Sequence, residues 1–210
     1  MWGPSEARFP GGWTVGERVG HTRGDFLRRT LIAGGILGGG ALIGAWPEGA
    51  DSAPSAKQDH RILTFALRLE LLQVAFYEQG AAALQGELLE FAEVVGRAER
   101  AHADFLRSHL GGETGNEGRF EFGDTIRNAK TFAAKAHLLE ETVTAAYVGQ
   151  GANLTASLIA GFGELTSVEA RQAAWISDII GKNPAPHAAD PAMTAGEVVT
   201  ALRDAALLGQ

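Results

Sequence analysis

The stretch LRLELLQVAFY, residues 67–77, has a counterpart seventy residues further along, HLLEETVTAAY, residues 137–147. Both segments end in tyrosine, and Tyr77 and Tyr147 are the only two tyrosines in the chain. Small and aliphatic residues recur every three to four positions in each segment, which is the period of a helix with one buried face. The chain is therefore interpreted as an internal duplication of helical segments.

The duplication carries acidic residues with it. Four glutamates, one from the first helix and one from the second helix of each half, match at the same offset (140 − 70 = 70 and 169 − 99 = 70): Glu70, Glu99, Glu140 and Glu169. Each glutamate lies within the apolar stripe of its helix, so its side chain is expected to point into the core. His102, three residues after Glu99, shares that inner face. The sequence thus predicts four helices that each direct a carboxylate toward one interior.

The composition limits the kinds of binding site that the chain can form. The 210 residues suit one domain of about 150 residues with additional segments at its ends. The net charge is −7 and the basic residues form no stripe, so nucleic-acid binding is not expected. Because the chain contains no cysteine, disulfides and thiolate metal sites are excluded, and any metal ligands are carboxylates and imidazoles.

The inner carboxylates need a counter-charge. A buried unpaired carboxylate costs several kcal/mol, and neighbouring carboxylates also repel one another. Three arginines lie close to them in sequence but are rotated away from the inner face: Arg68, Arg100 and Arg171. Divalent ions held by glutamate and histidine are the solution used by di-metal carboxylate bundles. The sequence therefore predicts a pair of divalent ions as cofactors, and in bundles of that class the ions are Fe or Mn.

Four segments carry a family resemblance: LRLELLQVAFY (67–77), RAERAHADFLRSHLG (97–111), LLEETVTAAYVG (138–149) and SVEARQAAWI (167–176). Together they resemble the ferritin-like superfamily, especially exported bacterial ferritin-like proteins and the related desiccation-associated proteins, over roughly residues 57–182. The resemblance implies one glutamate from each first helix and one E-x-x-H motif from each second helix. The ligand set implied in this way is Glu70, Glu99, His102, Glu140, Glu169 and Gln172.

Gln172 departs from the family pattern, which has histidine there. A neutral amide oxygen is a poorer metal ligand than imidazole, so one of the two metal positions is expected to be weak or absent, and a mononuclear centre is open as well. His137, one turn before Glu140, is a candidate replacement, although its counterpart in the first half is Leu67. Gln73 either bonds a ligand carboxylate or only fills the inner face.

The periodicity predicts an all-α four-helix bundle made of two duplicated helical hairpins, with a short extra C-terminal helix. The resemblance implies that this bundle is ferritin-like. The first helix is expected over residues 59–84, and the second ends at Gly111. Asp124 and Asn153 are the expected N-caps of the third and fourth helices.

The length of the connection between the hairpins, residues 111–123, determines which bundle topologies are possible. A helix of about 24 residues is roughly 36 Å long, and about 13 extended residues reach roughly 43 Å. The connection can therefore cross the whole bundle, as in ferritin-like folds, while a simple up-down-up-down bundle remains the alternative.

Three parts of the chain are expected. Residues 1–52 form an N-terminal export segment and linker, residues 53–183 form the bundle, and residues 184–210 form a tail whose short helix begins with a capping box from Thr194 to Glu197. Within the first part, HTRGDFLRRTLIAGGILGGGALIGAW (21–46) resembles a twin-arginine (Tat) signal through Arg28 and Arg29. Export to the bacterial periplasm is expected. An uncleaved anchor is disfavoured because the apolar run is shorter than the roughly 20 residues of a bilayer span.

The function expected from these features is metal binding, with Fe(II) oxidation by oxygen or peroxide, or peroxide disproportionation, during stress. The expected partners are metal ions and oxygen or peroxide, and a homo-oligomer is left open. Two rivals remain: a bundle that has lost its metal and is structural or stress-protective, and a protein that sequesters one ion without turnover. Tyr77 and Tyr147 are either core aromatics bonded to the carboxylates or redox-active neighbours.

Overall fold

The computed structural model describes residues 53–112 and 119–208. Within those ranges lie five α-helices: α1 (Ala56–Ala81), α2 (Gly86–His109), α3 (Ala129–Gly151), α4 (Ala156–Ile179) and α5 (Ala195–Asp204). A 3₁₀ turn, Gly123–Ile126, precedes α3, and the described residues form no strand. The predicted all-α bundle with a short extra helix is confirmed.

The predicted export signal, residues 21–46, lies outside the described residues, and so do residues 113–118 of the connection between the hairpins. In the described part of the chain, none of the helices combines the length and the apolar character that a bilayer span requires.

Polar side chains begin several helices. Ser55 starts α1 and Asn128 starts α3, and the side-chain oxygen of each accepts a backbone N–H of the first turn. The predicted capping box is confirmed, because the Glu197 amide donates to Oγ1 of Thr194 at 3.3 Å and the Thr194 amide donates to Oε2 of Glu197 at 2.8 Å. These bonds satisfy N–H groups that the first turn of a helix leaves unpaired.

Two of the predicted caps are wrong. Asp124 lies in the 3₁₀ turn, and Asn128, four residues later, is the residue that caps α3. Asn153 does not begin α4, whose N-cap is Thr155. The side-chain amide of Asn153 instead donates back to the carbonyl of Gly149 at 3.3 Å, so Asn153 caps the end of α3.

The helix neighbours settle the topology. α1 packs against α2 and α3, and α2 packs against α4. Phe76, near the end of α1, stacks on Phe132, near the start of α3, with ring centroids 4.7 Å apart. α1 and α3 are therefore antiparallel. Because α1 and α2 are also antiparallel, α2 and α3 run in the same direction, so the end of α2 and the start of α3 lie at opposite ends of the bundle. The crossover is present, and the up-down-up-down alternative is wrong.

Asp59 ties the two hairpins together at one end of the bundle. Its carboxylate accepts hydrogen bonds from the backbone amide of Thr155 at 2.9 Å and from Oγ1 of the same residue at 2.6 Å. Since Thr155 is the N-cap residue of α4, the carboxylate lies at the positive end of that helix. The start of α1 is thereby fixed to the start of α4.

The C-terminal segment packs on α3. A Cβ at Gly149 would lie 2.1 Å from the carbonyl oxygen of Met193, so glycine permits the close approach of the two backbones. The Met193 amide donates to the carbonyl of Ala145 at 2.9 Å. Nζ of Lys135 donates to the carbonyl of Ala205 at the end of α5. The segment thus extends the fold along the outside of α3.

Candidate metal centre

Four glutamates, one from each of α1 to α4, meet in the interior of the bundle. Glu70, Glu99, Glu140 and Glu169 all have a relative exposure of 0%. Each lies in the middle of its helix among buried apolar residues of the same face, so the period that buries the core also buries the carboxylates. Their inward position agrees with the expectation from the sequence.

His102 lies among three of these carboxylates. Its Nδ1 is 2.9 Å from Oε2 of Glu99, 2.9 Å from Oε1 of Glu169 and 3.5 Å from Oε2 of Glu70. One ligand atom from each of these four residues lies within 4.8 Å of all the others. Carboxylate oxygen and imidazole nitrogen together suit ions such as Mn²⁺, Fe²⁺ and Zn²⁺. This group of four could hold a metal ion.

The two remaining predicted ligands, Glu140 and Gln172, do not belong to that group. Both are buried, with exposures of 0% and 6%. Among the described residues, Oε2 of Glu140, Oε1 of Gln172 and Oε1 of Glu99 have no hydrogen-bond donor. Buried acceptors without donors are costly, so the cluster is incomplete as a hydrogen-bond network made of protein alone.

Each tyrosine hydroxyl bonds the glutamate of the other hairpin. The Tyr77 hydroxyl donates to Oε1 of Glu140, and the Tyr147 hydroxyl donates to Oε1 of Glu70. Of the two roles considered from the sequence, the geometry shows the one in which a core aromatic bonds a carboxylate. The crossed pairing also shows that the duplication is a structural two-fold relationship.

Gln73 bridges two of the carboxylates. Its Nε2 donates to Oε1 of Glu140 at 3.1 Å and to Oε2 of Glu169 at 3.3 Å, and its side chain has 0% exposure. The sequence alone does not decide this role. One feature of the sequence marks Gln73 as unusual: its counterpart seventy residues later is Val143, so the two repeats differ at this position.

Proton binding in the cluster reflects burial and crowding. Burial lowers the pKa of His102, but hydrogen bonding with Glu169, Glu70 and Glu99 outweighs it and raises that pKa to about 12. Burial raises the pKa values of Glu99, Glu140 and Glu169, and neighbouring carboxylates raise them further. The metal-free cluster therefore retains protons where a metal ion would supply positive charge.

His137 lies apart from the cluster. Its Nε2 is 4.0 Å from Oε1 of Glu141, on a partly exposed face of α3. Burial and the positive charge of Lys182 lower the pKa of His137. His137 therefore does not replace the histidine that is missing at Gln172.

The basic residues near the site in sequence point elsewhere, as expected. Arg100 pairs with Glu78 at 2.7 Å on the surface, and Nη1 of Arg171 donates to Oγ of Ser167 at 2.9 Å. In the described part of the chain, none of the four inner glutamates forms a salt bridge with lysine or arginine.

A family model described as a ferritin-like domain matches residues 58–182. The match contains all six predicted ligands and ends before α5. No curated protein matches the sequence.

Proposed function

The chain belongs to the ferritin-like domain family, and from this premise we propose that it binds Fe or Mn in the buried cluster and acts on iron or reactive oxygen during stress. The reactions proposed are oxidation of Fe(II) by oxygen or peroxide, and consumption of peroxide.

One observation supports metal binding most strongly. Four fully buried carboxylates share the interior with a single imidazole, and no lysine or arginine of the described helices pairs with them. A buried carboxylate costs several kcal/mol unless it is neutralised. One imidazolium offsets one negative charge, whereas a divalent ion that displaces the imidazolium proton offsets two. A metal ion therefore balances the site better than protons do at neutral pH.

The residues proposed to hold the ion are Glu70, Glu99, His102 and Glu169, whose ligand atoms converge within 4.8 Å. When bound, Fe or Mn would supply electron transfer to oxygen or peroxide. The chain itself holds and orients the carboxylates. The Tyr147 hydroxyl, for example, donates to Oε1 of Glu70 and fixes that side chain.

Buried aromatic rings pack around the two tyrosines that bond the cluster, whose four glutamates have 0% exposure. The Tyr77 ring lies edge-on to Phe76, Phe91 and Phe132, with centroids 5.3, 5.8 and 6.0 Å away. On the other side, Tyr147 stacks on Phe162 at 4.5 Å. Such a dry interior strengthens electrostatic interactions with a bound ion and limits access to small molecules such as oxygen and peroxide.

The proposal extends to location. The segment around Arg28 and Arg29, followed by an uncharged apolar run to Trp46, supports export through the twin-arginine pathway. The working environment proposed is therefore the bacterial periplasm.

A non-catalytic scaffold is the second candidate, and one observation favours it. His102 and Gln73 already supply an imidazolium and two amide N–H groups to the carboxylates without any metal. A bundle that neutralises its own interior in this way could persist as a structural or stress-protective protein.

Metal analysis of the full-length chain, purified without chelator, tests the proposal. The wild type is compared with Glu99→Gln, which removes a ligand charge while keeping the side-chain shape, and with Glu141→Gln as a partly exposed control beside Glu140. We expect bound Fe or Mn in the wild type and the control, loss of metal in Glu99→Gln, and Fe(II) oxidation or peroxide consumption only in the two metal-bearing proteins. Absence of metal from all three after reconstitution would favour the scaffold.

A further inference from the structure

We propose that the side-chain amide of Gln73 takes the place of a second cation, so that the centre binds a single metal ion. This inference rests on the metal binding proposed above and specifies how many ions the site accepts. The ion is assigned to the half that contains Glu70, Glu99 and His102, here called the histidine half, and Glu169 faces this half through Oε1. The glutamine half contains Glu140, Gln172 and the other oxygen of Glu169, Oε2, and is neutralised by Gln73.

The duplication shows where the halves differ. At the offset of seventy, the inner glutamates of one half match those of the other, but two residues beside them differ: His102 matches Gln172, and Gln73 matches Val143. The half that lost its histidine is also the half whose carboxylates receive the Gln73 amide. The two changes therefore act on the same side of the cluster.

The geometry explains why the amide excludes an ion. A side-chain amide has two N–H donors on one nitrogen, and Nε2 of Gln73 directs one at Glu140 and the other at Glu169, at 3.1 and 3.3 Å. A metal ion bound by the same two oxygens would have to lie beside the amide nitrogen that contacts both of them. The partially positive N–H groups that point at those oxygens would then point at the ion as well. Metal and amide compete for one place.

The other groups on this side are weaker ligands than those of the histidine half. Oε2 of Glu140 and Oε1 of Gln172 lack a hydrogen-bond donor, but they are one carboxylate oxygen and one amide oxygen, without an imidazole. Oε1 of Glu140 already accepts two hydrogen bonds, one from the Tyr77 hydroxyl and one from Gln73. Gln172 offers only a neutral amide oxygen in place of an imidazole. In the histidine half, by contrast, the position equivalent to Gln73 is an aliphatic Val143, which donates nothing. That side depends on His102 or a metal ion for its positive charge.

The experiment replaces the two residues of the cluster that differ between the repeats, so that the two halves become alike. Gln73→Val introduces the residue that the second repeat has at this position, and Gln172→His restores the second E-x-x-H. Full-length wild type, both single variants and the double variant are titrated with Mn²⁺ by calorimetry, and bound Mn is measured after desalting. Gln79→Val is the matched control, because Gln79 is an exposed amide on α1 that bonds the Phe120 carbonyl at 3.0 Å, away from the cluster.

We expect one Mn²⁺ per chain in the wild type and in Gln79→Val, and two in the double variant, a twofold change in stoichiometry. Two ions in the wild type would overturn the inference while leaving the proposed function standing. A folded double variant that still binds one ion would overturn it equally. No ion in any of these proteins would overturn the proposed function and this inference together.

Electron paramagnetic resonance of the Mn-loaded wild type gives an answer that does not depend on folding of the variants. A single ion per chain gives the spectrum of isolated Mn²⁺, and we expect this spectrum at saturating metal. An exchange-coupled spectrum in the wild type would show two adjacent ions and would overturn the inference.

Discussion

The Tyr147 hydroxyl, carried by the second hairpin, donates a hydrogen bond to Oε1 of Glu70 in the first hairpin. The reciprocal bond, from Tyr77 to Glu140, crosses in the opposite direction. Each hairpin therefore completes the polar interior of the other, and neither contains a satisfied carboxylate network alone. Coupling of the two hairpins is expected to be stronger than their apolar contacts alone would provide.

Replacing the tyrosines one at a time should reveal an asymmetry. Tyr147→Phe removes the hydroxyl from Glu70 and should lower the free energy of unfolding by about 1–3 kcal/mol, the cost of leaving a buried acceptor unsatisfied. Tyr77→Phe should cost less, about 0.5–1.5 kcal/mol, because Nε2 of Gln73 still donates to the same oxygen of Glu140 at 3.1 Å. Urea unfolding of both metal-free variants measures the difference. Equal losses would contradict the role given to Gln73.

The stability of the metal-free protein should fall as pH rises. The pKa of His102 is raised from 6.5 to about 12 in the folded state, so its contribution is fully present below about pH 6.5 and is lost as pH rises toward 12. The raised pKa values of Glu99, Glu140 and Glu169 act in the same direction, from about pH 4.5 upward. Urea midpoints between pH 6 and 9.5 for the wild type and His102→Gln isolate the histidine, since the advantage of the wild type should shrink with rising pH. A constant or growing advantage would contradict this assignment.

Bound metal should stabilise the bundle, and a chelator should reverse the gain. At a free metal concentration of 100 times Kd the expected gain is about 2.7 kcal/mol. The gain should grow with pH, because the ion displaces protons from His102 and the glutamates. Thermal scans with Mn²⁺ and with chelator, at two pH values, measure it. Glu99→Gln should show no gain, and a gain that persists in that variant would place the ion elsewhere.

Two glycines should respond oppositely to alanine. A Cβ at Gly80 would lie 2.2 Å from Cε2 of Phe132, so Gly80→Ala should destabilise the contact between α1 and α3 by about 1–3 kcal/mol through overpacking. Gly163 lies within α4, and a Cβ there would meet no atom within 4 Å. Gly163→Ala should therefore stabilise by about 0.5–1 kcal/mol through helix propensity. Thermal unfolding of the two variants compares them, and a loss in Gly163→Ala would contradict this account.

The bundle was predictable because each helix displays its buried face in the sequence and the offset of seventy identifies matching helices. The first and last residues of the helices were harder to predict. The first helix begins at Ala56 and ends at Ala81, whereas the periodicity indicated 59–84. Asp124 and Asn128 are similar capping residues four positions apart, and only the course of the crossover decides which of them meets the first turn of α3.

The inward direction of the four glutamates also followed from helical periodicity. The partner of Gln73 did not, because the amide reaches across to Glu140 on α3 and Glu169 on α4, and these contacts depend on how three helices pack. The separation of His137 from the cluster has the same origin, since a residue one turn from a ligand is near it along the helix but can face a different neighbour.

The crossover between α2 and α3 has a consequence for how the interior can diverge. Two separate copies of one hairpin, paired about an exact two-fold axis, would be bound to carry the same residue at equivalent positions. When the two hairpins are joined in one chain, equivalent positions can carry different residues. Once the two hairpins share a single polypeptide, His102 can be kept while Gln172 takes its place opposite, and Gln73 can arise without a second glutamine at Val143. The long connection thus joins two similar hairpins into one chain whose two halves are free to differ.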